Sequence, residues 1–287
     1  MAVSVPTSCL FCGVELTDAT RTQEHVFPRW LQQRCGIANL ELELANGTSV
    51  PYAQLLVPAC QECNGVHASQ LEARVADGTA STQDRWLWML KIQLGVYFWE
   101  SGRPMSRDLR SQEHGQPIFP LDAVDVDYFQ TLFSALKGVG ATFEPDPSGT
   151  LLGFADPVGG FDYADRLFRH PRAPDDIYSA GLIAFDGRVW IALFDDGRRV
   201  ADHLIDESIM QQQVQGGRDP REFLPELMYT RARILWHPKV LVGRGPDGHT
   251  SHVVALPTMS TPRIFEYDRS DLATFYPPAA DGAVTAT

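Results

Sequence analysis

Four of the five cysteines fall into two CxxC pairs, Cys9 with Cys12 and Cys60 with Cys63. Each pair presents two thiolates from one tight turn, and two such turns complete the tetrahedral shell of a structural zinc site. The 47 residues between Cys12 and Cys60 are then a segment closed at both ends by one metal ion. Disulfides are the competing use of cysteine. The opening MAVSVPTSCLFCG lacks the basic and apolar stretches of a secretory signal, so a cytoplasmic setting is expected, where thiols stay reduced. Cys35 is left over and is expected to be a buried or idle thiol.

The local patterns around the pairs suggest an α+β chain. Asn46-Gly47 between LELEL and SVPYAQLLV signals a hairpin. After Cys63, Val66, Leu71 and Val75 recur near helical spacing. The expected order is knuckle, strand, long turn, strand, knuckle, helix. GTAST at 78–82 then reads as a hinge. Residues 84–100, with WLWMLKIQLGVYFW, form an aromatic helix apolar on several faces. Such a helix is buried between layers, and it is too short and carries Lys91 too centrally to span a bilayer.

Residues 101–120 read as a polar loop, and 122–140 as an amphipathic helix. Beyond that, 179–194 is a hairpin turning at Asp186-Gly187. Strands are expected at 230–241, 252–256 and 263–267, and short helices at 202–214 and 220–229. Three units result: a zinc-stapled domain at 1–83, a helical then β-rich region at 84–276, and a frayed tail at 277–287.

Charge constrains the partners. The net charge is −12. Residues 1–84 carry four basic side chains against nine acidic ones. This balance argues against a nonspecific coat for nucleic acid or an anionic membrane. Any phosphate-binding surface has to be local. Candidates are the clusters Arg103/Arg107/Arg110, Arg166/Arg169/Arg172, Arg198/Arg199 and Arg231/Arg233.

The residues that carry chemistry sit inside the cysteine frame. Glu24-His25 follows Cys12 within TQEHVFPRWL, and Asn64 directly follows Cys63 in CQECN. A neutral imidazole suits the activation of water near pH 7, and a hard divalent ion wants oxygen donors of the kind Glu24 and Asn64 supply. Read in order, CLFCG, EHVFPRWL, LLVPACQECN and SQLEARV resemble the HNH endonucleases of the ββα-metal type. The likeness covers residues 9 to about 75.

The resemblance implies an N-terminal ββα-metal subdomain in which zinc on Cys9, Cys12, Cys60 and Cys63 is structural. It implies His25 as general base, with Glu24 and Asn64 holding a catalytic Mg²⁺ or Mn²⁺. The substrate is expected to be nucleic acid, DNA rather than RNA. His25 should lie on or just after the first strand, facing the start of the helix that carries Asn64.

The family's middle Asn has no counterpart here; Gln54 is the nearest amide. His67, one turn after Asn64, and Glu72, two turns after it, are possible accessory groups. The acidic balance keeps two other classes open. One is a noncatalytic zinc-stapled binding module, in which Asn64 is simply a helix cap. The other is an enzyme for a small substrate such as a nucleotide.

Overall fold

The computed structural model describes residues 8–264, apart from 107, 109, 111–115, 119–125, 136–140, 170–176, 236–238, 245–249 and 257–262. The tail expected at 277–287, and Arg107 and Arg172 of the basic clusters, lie outside the described residues.

Inside the cysteine frame the chain forms β1 (Arg21–His25), α1 (Arg29–Cys35), β2 (Glu41–Glu43), β3 (Ser49–Pro51) and β4 (Leu56–Cys60). The second cysteine pair opens a π-helical turn, Cys63–Ala68, which runs into α2 (Ser69–Ala76). The Asn46-Gly47 turn closes the β2–β3 hairpin, with Gly47 at φ 72° and the Asn46 side chain accepting from Thr48 N. Strands β1 and β4 pair antiparallel, with Arg21 opposite Cys60 and His25 opposite Leu56. Helix α1 falls in a stretch the sequence reading left unassigned. It follows Pro28 and ends at Gly36, whose φ of 68° provides a left-handed stop.

Helix α3 (Thr82–Ser101) starts in a capping box between Ser81 and Asp84. It is buried on nearly every face. One apolar cluster runs from Cys9, Phe27 and Leu71 through Trp86, Leu90 and Leu94 to Ile183 and Phe194. Packing therefore continues across position 83. Trp99 Nε1 donates to Leu56 O at 2.9 Å, and Trp86 Nε1 donates to Leu193 O at 2.9 Å. The helix thus holds β4 at one end and the C-terminal sheet at the other.

Close approach to the N-terminal strands depends on Gly95. A Cβ there would lie 2.6 Å from Val26 Cγ2, and Val26 is itself buried next to His25. Gly95→Ala gains about 1 kcal/mol of helix propensity. Overpacking typically costs 1–3 kcal/mol. The net change is expected to run from roughly zero to a loss of about 2 kcal/mol, read from the denaturant midpoint. A midpoint raised by the full propensity gain of about 1 kcal/mol would mean that the helix and Val26 part at no cost.

After α4 (Val126–Ala135) come β5 (Ala141–Glu144), β6 (Leu151–Ala155), β7 (Asp162–Arg169), β8 (Ile177–Phe185) and β9 (Arg188–Leu193). The order β6-β9-β8-β7 is antiparallel throughout, and β8 and β9 turn at Asp186 and Gly187, both at positive φ. Alternation along β8 sends Ile183 and Phe185 to the α3 cluster and Leu182 and Ala184 to a second cluster. That second cluster is covered by α5 (Arg199–His203), α6 (Glu207–Gln215) and α7 (Phe223–Ala232).

The chain continues through β10 (Ile234–Leu235), β11 (Lys239–Arg244), β12 (Ser251–Leu256) and β13 (Arg263–Ile264). A three-stranded sheet has the order β11-β12-β5, its β12–β5 pair parallel. The described residues are α+β with mainly antiparallel sheets, and among them no helix is long and apolar enough to cross a membrane.

Two expectations are corrected. The strand placed at 230–241 begins as helix, because Phe223, Leu224, Leu227, Met228 and Arg231 bury one face of α7 and carry it to Ala232. The helix placed at 202–214 is two helices. Asp206 breaks the run and caps α6 by accepting from Ser208 N and Ile209 N.

Near its end α3 buries Glu100, which accepts from Ala45 N at 3.2 Å. Burial, then the Asp165 charge, pushes its pKa up from 4.5 to about 7. The folded state then holds a proton that the unfolded chain releases. The associated stability is complete below the unfolded value and is lost as pH rises through about 7. The loss amounts to about 3 kcal/mol at most. Urea midpoints at about pH 5 and about pH 8 should differ accordingly in wild type, and less so in Glu100→Gln.

Candidate metal centre and active site

The first knuckle is shaped by backbone bonds from Cys9 N to Val14 O and from Gly13 N to Cys9 O, with Gly13 at φ 71°. Leu10 N donates to Pro58 O and fastens this turn to β4. The second knuckle begins where β4 ends, with Cys63 N donating to Cys60 Sγ at 3.4 Å.

The two turns bring all four Sγ atoms within 4.8 Å of one another. Cys12 Sγ and Cys60 Sγ are 3.9 Å apart. Tetrahedral zinc with Zn–S bonds of about 2.3 Å has a sulfur–sulfur edge of about 3.8 Å. The cluster is thus positioned to bind a metal ion and is compatible with structural zinc. The crowded thiols of Cys12 and Cys9, then burial, push the Cys63 pKa up. A cation at the centre reverses that preference and stabilises thiolates. Cys35 stands apart from the cluster, half-buried, its thiol pushed up mainly by burial.

The knuckles set the helix against β1. Asn64 does not cap the helix. Its Nδ2 crosses to β1 and donates to Thr22 Oγ1 and Gln23 O, both at 3.0 Å. Its Oδ1 takes no hydrogen bond among those described. Thr22 and Glu24, two residues apart, both meet the helix side.

Glu24 is only 7% exposed, and its carboxylate faces Lys91 of α3. The Lys91 ammonium reaches Glu24 Oε1 at 2.6 Å, Glu72 Oε1 at 2.6 Å and His25 O at 2.8 Å. Burial pulls the Lys91 pKa down, but Glu72 and Glu24 more than offset it, so Lys91 stays charged. Burial raises the Glu72 pKa; Lys91 pulls it down and Glu24 pushes it up.

His25 ends β1, opposite Leu56 of β4. Its Nε2 accepts from Arg29 Nε at 2.9 Å, so the neutral ring carries its proton on Nδ1. Nδ1 is buried and has no hydrogen-bond partner among the described residues. Burial, then the Arg29 charge, holds the His25 pKa below its usual value, and the imidazole is neutral at pH 7. Among the described residues no hydrogen bond joins His25 to Asn64. Arg29 went unnoticed in the sequence; its offset of four from His25 was the available signal.

The accessory residues are dispersed. His67 lies 3.5 Å from Glu62. Gln54, in the 3-10 turn Tyr52–Gln54, is exposed. Glu72 belongs to the Lys91 cluster. Among the described residues no second group of three or more His, Cys, Asp or Glu side chains converges as the cysteines do. Glu24 and Asn64 therefore do not fit a ready set of ligands for a divalent ion: one is engaged by Lys91, and the other offers at most an amide oxygen. Of the basic clusters, Arg231 is fully buried, paired with Asp195 and stacked over Tyr178, so it adds nothing to the surface. Arg198 pairs with Asp202, and Arg103 lies over Trp99.

No family model, no curated protein and no solved structure matches this chain.

Proposed function

We propose that the chain is an HNH-type endonuclease that hydrolyses phosphodiester bonds of nucleic acid, DNA before RNA, with His25 as general base and zinc on the four cysteines as a structural staple. The observation that carries this reading is the His25–Arg29 pair. A neutral imidazole and a guanidinium sit together at the end of a strand that the metal cluster anchors. The imidazole accepts the proton of an attacking water, and the guanidinium binds phosphate oxygens. In the free protein Arg29 occupies Nε2. A phosphate that draws the guanidinium onto itself leaves Nε2 open to water.

A divalent ion, where one is bound, stabilises charge on the scissile phosphate. Asn64 Oδ1 is its remaining expected donor.

The engagement of Glu24 by Lys91 favours a second reading, a noncatalytic zinc-stapled binding module. The test is cleavage of supercoiled plasmid, single-stranded DNA, RNA and free nucleotides, each with Mg²⁺, Mn²⁺ or EDTA. Cleavage of polymer supports the nuclease. Turnover of nucleotides alone assigns a small-substrate enzyme. Inertness toward all of them sinks the catalytic reading.

A further inference from the structure

We infer that the Lys91 ammonium is the resident cation of the Glu24–Glu72 pair, so that Glu24 helps position His25 and does not ligate an exchangeable divalent ion. This deepens the reading of His25 as a base, although its metal-binding arm stands without that reading.

Lys91 meets three oxygens: its ammonium donates to Glu72 Oε1 and His25 O, and it forms an ion pair with Glu24 Oε1 at 2.6 Å. The side chain is 1% exposed and arrives from α3, whereas its acceptors come from β1 and α2. A Mg²⁺ ion needs oxygens at about 2.0–2.1 Å in a near-octahedral arrangement. The 2.6 Å contact sets a fixed positive charge against the Glu24 carboxylate, and a second cation beside the first is repelled.

The same ammonium fixes the carbonyl of His25, and one turn further along α3 Gly95 packs onto Val26. The helix therefore holds the main chain at His25 and the side chain that follows it. That sets where the imidazole stands relative to Arg29. Lys91 is a positioning residue, and its positive charge does locally what a bound metal would do for these carboxylates.

Mn²⁺ binding to the full-length, zinc-loaded protein, followed by electron paramagnetic resonance, tests this. Lys91→Met alone leaves two buried carboxylates together and risks unfolding. Lys91→Met/Glu72→Gln keeps the net charge of the cluster and is the working variant, its fold checked by circular dichroism. Wild type and Glu24→Gln should bind Mn²⁺ alike. The double variant should gain a Mn²⁺ site, and adding Glu24→Gln should remove it. Weaker Mn²⁺ binding in Glu24→Gln than in wild type overturns the inference, as does a folded double variant with no new site.

The positioning half is read from the His25 ring ¹⁵N resonances, which should move in the double variant; unchanged resonances overturn it. None of these readouts needs cleavage. A wild type that cleaves nothing would therefore end the nuclease reading and leave this inference standing.

Discussion

Cys60→Ser is expected to release the metal and melt the N-terminal region while the C-terminal sheet persists. A serine hydroxyl is no thiolate, and three remaining cysteines leave an open shell. Structural zinc in small sites contributes about 10–16 kcal/mol of apparent binding free energy at pH 7, and that energy is folding energy. Cys60 also ends β4 at the residue paired with Arg21, and its sulfur accepts the Cys63 amide. Its loss frees the start of the helix and the strand that carries Glu24 and His25 together. Among the described residues the cluster beneath α5–α7 contains none before Leu152, and it should remain folded. Zinc content by mass spectrometry and hydrogen exchange over residues 8–76 report the two halves of the effect. Stoichiometric zinc with native protection in Cys60→Ser would refute it. Cys35→Ser, away from the cluster, is the control and should keep its metal.

The second large effect concerns catalysis. His25→Ala should lower cleavage by about 10²–10⁴-fold, the usual contribution of a general base, with zinc content and fold unchanged. Arg29→Ala should act chiefly on KM, because its guanidinium is assigned to the phosphate. The base must be unprotonated to work, and burial with Arg29 holds its pKa below 6.5. The acid limb of the kcat/KM profile should therefore fall below pH 6.5, with activity lost as pH decreases through it. Equal cleavage by wild type and His25→Ala would assign the activity to another site or to a contaminating nuclease.

The cysteine spacing made the metal cluster legible, because two CxxC turns have few ways to use four thiols. The antiparallel pairing of β1 with β4 came from the structure. The destination of Glu24 was not legible. A carboxylate next to a histidine has the same spelling whether it faces a metal or a buried lysine, and the lysine lies 67 positions on. A signal was nevertheless present. Lys91 interrupts WLWMLKIQL, and a cation in a helix buried on several faces requires carboxylate partners. Arg231 shows the reverse error. Beside Arg233 it looked like part of a basic surface, but its place on the buried face of α7 assigns it to Asp195. Helix α1 was missed because seven residues give too few turns for a periodic pattern.

The reach of α3 bears on how this chain can be divided. An excised 1–83 fragment would carry Glu24 and Glu72 without their counterion and Leu56 O without the Trp99 donor. It would also expose the flank of Val26 that Gly95 covers. The 1–83 stretch alone is thus electrostatically incomplete. Grafted elsewhere without its helix, it would arrive with an uncompensated negative charge where its own scaffold supplies a positive one.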